Sequence, residues 1–249
     1  MGQVMVVTSG KGGTGKTTLC AGLAAGLAQL DQQVLCIDAD IGLRNLDLSL
    51  GMADAATVPF TEALGGGMPL SAAPRHPLLP RLALLTAPVR TAPVDAAAFR
   101  ALLAQARESF DWILIDAPAG IGEGFRLSSA YADRALVVAT ADPASLRDAG
   151  RAAQLLRRPG TPPLPAQVAV NRVSRKLFRQ MGATVDDVMD QIGLPLAGLV
   201  PEDPGVVLAA AAGVPLLQYE THNTRGAAAA LRRMARRLTG QSVPLMRIR

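Results

Sequence analysis

Two of the three lysines in the chain, Lys11 and Lys16, fall inside one short stretch, Gly10-Lys11-Gly12-Gly13-Thr14-Gly15-Lys16-Thr17. The spacing G-x-x-x-x-G-K-[ST] suits one kind of chemistry. Glycines let backbone N–H groups wrap around phosphate oxygens, Lys16 brings a positive charge to them, and the Thr17 hydroxyl is of a type that ligates Mg²⁺. A compact ammonium fits such a loop where a broad guanidinium would crowd it, and the rest of the cationic residues, Lys176 apart, are arginines. The apolar run Val4 to Val7 precedes the stretch, and a small-residue helical pattern from Thr18 to Leu30 follows it. The expected unit is strand, loop, helix, with the helix presenting its positive end to the same anion. Gly12, Gly13, Thr14, Gly15, Lys16, Thr17 and Thr18 are the expected phosphate contacts. Lys11 is not required by an ordinary loop of this kind.

A phosphate-bound cation calls for acids, and they occur where strands end. Gln33 to Ile37 reads as a strand that runs into Asp38-Ala39-Asp40. Asp111 to Asp116 reads as a buried strand closed by an acid, with Ala117-Pro118-Ala119-Gly120-Ile121 beyond it. In open α/β sheets ligands bind outside the carboxyl ends of the strands, so Asp38 and Asp40 should stand near the phosphate loop. Asp116 is placed to hold a water on Mg²⁺, and Gly120 and Gly122 leave its loop free to respond to a γ-phosphate. Thr17, Asp38 and Asp116 form the expected metal set. Two later strand ends carry polar groups of less specific meaning. Gln167 to Val170 ends in Asn171-Arg172, and Leu196 to Val200 in Pro201-Glu202-Asp203.

Further elements must hold these ends together. Strands are expected at Leu82 to Thr86 and Arg134 to Thr140. Helices are expected at Val94 to Glu108, from Asp142 towards Leu156, and at Val185 to Ile192, Val206 to Ala212 and Gly226 to Leu238. Residues 57–80 are rich in proline and glycine and read as an excursion with a short helix near Phe60 to Leu64; 157–165 reads as a loop. The last helix sets Leu231, Met234, Ala235 and Leu238 on one face and Arg232, Arg233, Arg236 and Arg237 on a solvated face opposite. Alternating strands and helices without an internal repeat specify an α/β fold: a doubly wound, mostly parallel sheet with helices on both faces, as in P-loop NTPases, over 1–249 as one domain.

Composition narrows the setting. A chain of 249 residues, 49% hydrophobic, can bury a substantial core. No apolar run approaches the roughly 18 residues of a membrane span, and the start MGQVMVV carries no basic segment or cleavage site, so a cytoplasmic protein is expected. Cys20 and Cys36 lack paired spacing and are expected to be buried, reduced thiols. His76 and His222 form no ligand pattern. A net charge of +5 with only 3% aromatic residues and scattered arginines argues against a nucleic-acid surface.

The ordered elements KGGTGKTT, DADIGLRNLDLSLGM, DAPAGI and VPED, with NR before the last, resemble the MinD family within the MinD/ParA group of deviant P-loop ATPases. The likeness covers nearly the whole chain. It implies ATP and Mg²⁺ as cofactors, an ATP-dependent homodimer, and hydrolysis in which Lys11 reaches the partner's phosphates, Lys16 serves its own, and Asp40 positions the attacking water. It also implies that Asn171 and Arg172 stand for the element that reads the adenine edge, with Pro201, Glu202 and Asp203 packing around the base. A MinC-type inhibitor, a MinE-type activator and the inner face of the cell membrane are the implied partners. A ParA-like DNA-partitioning role, a flagellar-number regulator and a non-hydrolysing scaffold are the alternatives. The RNLDLSLGM stretch speaks against the first of these, and an iron–sulfur reductase is disfavoured because no cysteine follows Gly122. One departure is that the family continues past the last helix into an amphipathic anchor, whereas 240–249 is a short tail whose five residues after Pro244 cannot hold a helix alone.

Overall fold

The computed structural model describes residues 1–55, 57–90, 93–157, 163–182 and 184–246. Its centre is an eight-stranded sheet in the order β3-β4-β2-β5-β1-β6-β7-β8. The strands are β1 (Gln3–Thr8), β2 (Val34–Asp38), β3 (Arg75–His76), β4 (Leu79–Leu85), β5 (Trp112–Asp116), β6 (Arg134–Thr140), β7 (Ala166–Val173) and β8 (Leu196–Pro201). All neighbours pair in parallel except β3, which runs antiparallel to β4 at one edge. The expected doubly wound, mostly parallel sheet is therefore present.

Burial on both faces explains why β1, β2 and β5 are continuous apolar runs rather than alternating ones. The helices, in chain order, are α1 (Lys16–Ala28), α2 (Leu46–Ser49), α3 (Ala96–Ser109), α4 (Glu123–Ala130), α5 (Pro143–Leu156), α6 (Arg175–Met181), α7 (Val185–Ile192), α8 (Gly205–Ala211), α9 (Leu216–Tyr219) and α10 (Gly226–Leu238). On one face α1 and α10 pack together, and the small side of that contact is set by sequence. A methyl at Gly22 would stand 2.5 Å from the Leu231 side chain, and one at Gly26 2.8 Å from that of Ala235. The other face is covered by α3, α4, α5 and α7, whose apolar residues Phe99, Leu102, Phe125, Leu146 and Val188 join Val6, Ile37 and Ile115 of the sheet. Cys20 and Cys36 are buried and unpaired by any disulfide.

Several expected boundaries move. The first helix begins at Lys16, two residues before the apolar pattern does, because Gly15 takes a left-handed conformation and lets the chain turn straight into it. The strand expected at Gln167 to Val170 continues through Asn171 and Arg172 to Val173. The excursion is more ordered than its composition suggests, with two 3-10 segments, Phe60–Gly66 and Leu70–Ala72, and the β3–β4 hairpin. The arginines of α10 are not simply a solvated face. Arg232 donates to the carbonyls of Leu217 and Glu220, Arg233 to Pro244 and Arg237 to Ala197, leaving Arg236 on the side chain of Gln241. Most of the 157–165 loop lies outside the described residues, as do 247–249 of the tail.

His76 ties the excursion to the body. Its buried ring donates from Nε2 to the Leu50 carbonyl at 2.8 Å, while Nδ1 accepts from the N–H groups of Leu78 and Leu79 at 3.0 and 3.1 Å. Burial lowers the affinity of the ring for a proton, outweighing the carbonyl of Leu50. A histidine held neutral in the fold contributes fully above its ordinary pKa of about 6.5, and that contribution is lost as pH falls below it. The melting temperature of the protein should therefore drop more steeply between pH 7.5 and pH 5 than that of His76→Asn, and parallel slopes in calorimetry would show that this ring does not carry the effect.

Candidate functional site

The register of the sheet assembles the site. Val7 of β1 pairs with Asp116 of β5, and Asp116 in turn pairs with Asp38 of β2, so three adjacent parallel strands finish at one level with two carboxylates side by side. The phosphate loop leaves β1 at that level. Gly13 and Gly15 have φ of 79° and 85°, a region closed to most side chains, and at Gly15 a Cβ would also stand 2.2 Å from the Asn171 amide nitrogen. That amide donates to the Thr14 carbonyl at 2.8 Å, so β7 braces the loop from behind.

Lys16 points back into the site. Its ammonium donates to Asp116 Oδ1 at 2.7 Å and lies 3.9 Å from Asp40 Oδ2, and all but about a twentieth of its surface is buried. Burial pushes the Asp116 carboxyl up, opposed by the Lys16 charge and by a hydrogen bond from the Thr17 hydroxyl. Asp38 is raised to about 6, first by burial and then by the charge of Asp116. The oxygens of Asp38 accept from the N–H groups of Asp40, Asn45 and Leu46, so Asp38 acts on the backbone of the loop that carries Asp40. The same loop is closed by Arg44, in a left-handed conformation with φ of 43°, whose Nε donates to the buried Asp47 at 2.7 Å.

Lys11 stands apart from Lys16. It is half-exposed at the mouth of the loop, 3.7 Å from Asp142 Oδ1. Asp142 caps α5 by accepting from Ser145 N, and the Thr140 hydroxyl bonded to it holds its carboxyl below the usual range. Asp142 was legible as a helix start but not as the partner of Lys11. Arg172, beyond Asn171, is exposed with φ of 52°. Pro201, Glu202 and Asp203 line a cleft of about 1180 Å³ at the ends of β7 and β8, together with Val173, Arg225 and Met246. Asp203 is occupied structurally: it accepts from Gly205 N at 2.9 Å and Ala227 N at 2.7 Å, fastening the first turns of α8 and α10 together.

These residues fit a nucleotide and its cation. The loop offers open glycine backbone, an anion-seeking helix start and a buried Thr14 hydroxyl with no hydrogen-bond partner among the described residues, and beside it Thr17 and Asp116 present oxygens of the type that Mg²⁺ prefers. Among the described residues no separate cluster of histidine, cysteine and acids could hold a metal by itself. Fold and site together define a P-loop nucleotide-binding protein of the doubly wound α/β class.

Comparison with known proteins narrows the class. The family model "CobQ/CobB/MinD/ParA nucleotide binding domain" matches residues 5–216. The septum site-determining protein MinD of Synechocystis is 37% identical over 99% of this chain and 92% of its own length, and that of Thermotoga maritima 35% identical over 98% and 91%. Among solved structures, the MinC:MinD cell division protein complex of Aquifex aeolicus superposes with a TM-score of 0.88 at 35% identity, covering 99% of each chain. The chain belongs to the MinD family.

Proposed function

We propose that this chain, working as one domain over 1–249, is a MinD-type ATPase that converts ATP and water to ADP and phosphate and takes part in placing the division septum by recruiting an inhibitor of the MinC type. The observation that carries the reading is the buried Lys16 ammonium held between Asp116 and Asp40 beside Thr17, at the ends of β1, β2 and β5. Incoming phosphates replace those carboxylates as partners of Lys16. Gly12, Gly13, Thr14 and Gly15 cradle the phosphates with backbone N–H groups, aided by Thr17 and Thr18 at the start of α1. Thr17 and Asp116, with Asp38 behind them, would hold Mg²⁺, which would supply positive charge against the phosphates. Asp40 orients the attacking water, and Asp38 keeps the backbone of Asp40 in place. Asn171 and Arg172 with Pro201, Glu202 and Asp203 border the base. Lys11 acts across an ATP-dependent homodimer. The Aquifex complex of MinC with MinD supports the inhibitor as partner. A MinE-type activator and the inner face of the cell membrane complete the cycle, with the protein otherwise cytoplasmic.

Asp40→Ala tests the chemistry. Water positioning acts on the transition state more than on bound ATP, so turnover should fall by about 10² or more while ATP still supports the dimer. Steady-state phosphate release and light scattering decide it: unchanged turnover removes Asp40 from the mechanism, and unchanged turnover by Lys16→Ala would remove the whole reading.

Attachment to anionic liposomes by the purified 249-residue chain should be marginal and salt-sensitive even with ATP. Pairing amplifies a weak anchor, but Val243, Leu245 and Met246 are the tail's described apolar residues and Met246 already packs against the core beside α10. Arginines near an anionic surface add about 1 kcal/mol each, and salt removes it. Firm ATP-dependent pelleting at physiological salt would overturn this expectation. Pelleting with DNA instead would favour a partitioning role.

A further inference from the structure

The nucleotide site uses the C-terminal ends of the strands. At the opposite edge, between the starts of β6, β7 and β8 and the last turns of α10, lies a cavity of about 470 Å³. We propose that it binds a small anionic amphiphile, an acidic head on a short hydrocarbon chain.

The walls define the chain of such a ligand. Pro165, Pro195, Ala197 and Leu238 give the space its apolar surface, and the buried side chains of Met5, Leu23, Leu136 and Met234 form the floor beneath it. Small-molecule sites fall in the range of about 300–1,000 Å³ and combine apolar surface with a few polar groups that fix orientation. The charges define the head. Arg134 and Arg237 both line the cavity, and both are half-buried. Arg134 lies over the Trp112 ring, 5.6 Å from its centroid, and Arg237 donates one N–H to the Ala197 carbonyl at 2.7 Å. Among the described residues neither forms an ion pair, unlike Arg107, whose guanidinium is matched by Asp133 nearby. Two partly desolvated guanidiniums on an apolar cavity, with no carboxylate between them, disfavour a cation and leave a neutral lipid without anything to offset their charge. A carboxylate or phosphate offers the planar fork its usual partner.

Trp112 is the sole tryptophan and lies under Arg134, so the protein carries its own reporter. Octanoate and octyl phosphate, each titrated below the concentration at which it forms micelles, should change Trp112 fluorescence saturably and give matching calorimetric isotherms. The two heads distinguish a carboxylate site from a phosphate site. Octyltrimethylammonium should give no saturable binding, and acetate, which lacks the chain, should bind at least about tenfold more weakly. The double variant Arg134→Gln/Arg237→Gln should lose about tenfold or more in affinity by calorimetry, and Ala197→Leu, which keeps both charges and fills the space, should lose binding as well. None of these positions touches the phosphate loop, so retained nucleotide binding certifies that each variant is folded; should a variant not fold, the head and chain series on the parent protein decides alone. Absence of saturable binding by both anions, equal binding of the octyl cation, or full affinity in the folded variants would overturn the proposal.

Discussion

Lys16→Ala should abolish nucleotide binding and lower the melting temperature together. The second effect follows from the 2.7 Å bond to Asp116, because both side chains are buried. Removing one member of such a pair strands the other, a cost of about 3–5 kcal/mol when the remaining group stays charged. Here the cost is smaller than that ceiling, because burial already raises the proton affinity of Asp116 and without Lys16 the acid can escape by taking up a proton. The variant should accordingly be more stable at mildly acid pH than at neutral pH relative to the parent. A carboxyl whose folded pKa lies above its unfolded value stabilises below the unfolded value and loses that contribution as pH rises through the folded one. The loss of binding has a different origin. A buried ammonium contributes charge-assisted bonds to phosphate of about 1.5–3 kcal/mol each, so its removal should weaken ATP by about a hundredfold or more. Lys16→Ala/Asp116→Asn separates the two effects, since removing the stranded acid should recover stability without recovering affinity. Calorimetric affinity near that of the parent in either variant would show that Lys16 does not meet the phosphates.

The chain announces parts of this site and conceals others. The phosphate loop is legible because its glycines and lysine are tied to local backbone geometry, and local geometry is written in consecutive residues. Asp38 and Asp116 are legible as strand ends. Their pairing as neighbours is not, because it depends on β5 inserting between β1 and β2, a long-range choice that no window of sequence contains. The raised proton affinity of Asp38 comes first from its burial and then from the charge of Asp116 beside it, and both follow from the assembled sheet rather than from any window of sequence. The arginines of α10 mislead for a related reason. Helical spacing separates them from Leu231 and Met234 correctly, yet it cannot report that α9 and β8 pass close enough for Arg232 and Arg237 to find carbonyls. Short helices such as α2 and α9 escape because four residues carry no periodicity, whereas α5, with Asp142 as its cap and Pro143 at its start, is marked at its first turn.

Lys11→Ala should leave the monomer nearly untouched and remove the dimer. The ammonium of Lys11 and the carboxyl of Asp142 are each about half exposed, and at 3.7 Å they make the kind of surface pair worth about 0–1 kcal/mol. Asp142 keeps its own bonds to Thr140 and Ser145 when Lys11 is gone, so α5 stays capped and no buried charge is stranded. Melting temperature and the affinity of the monomer for ADP should therefore match the parent. Association is where the cost falls. On the proposed function, Lys11 leaves Asp142 for the phosphates of the facing subunit, exchanging a weak, solvated partner for strong ones shielded from water as the two subunits close. Each dimer contains this contact twice, so the loss doubles: two charge-assisted bonds of about 1.5–3 kcal/mol each make about 3–6 kcal/mol, a shift of over a hundredfold in the dimer constant. Phosphate release should fall with it, and raising protein concentration should restore the dimer before it restores turnover, because the missing ammonium also withdraws charge from the transition state. The contrast with Lys16 is decisive in physical terms. One lysine is buried and paired, and on the proposed function it is needed for binding; the other is exposed and loosely held, and on that function it is needed only when a second copy arrives. Sedimentation with ATP showing an unchanged dimer for Lys11→Ala, together with normal phosphate release, would place Lys11 outside the mechanism and leave its pair with Asp142 as an ordinary surface contact.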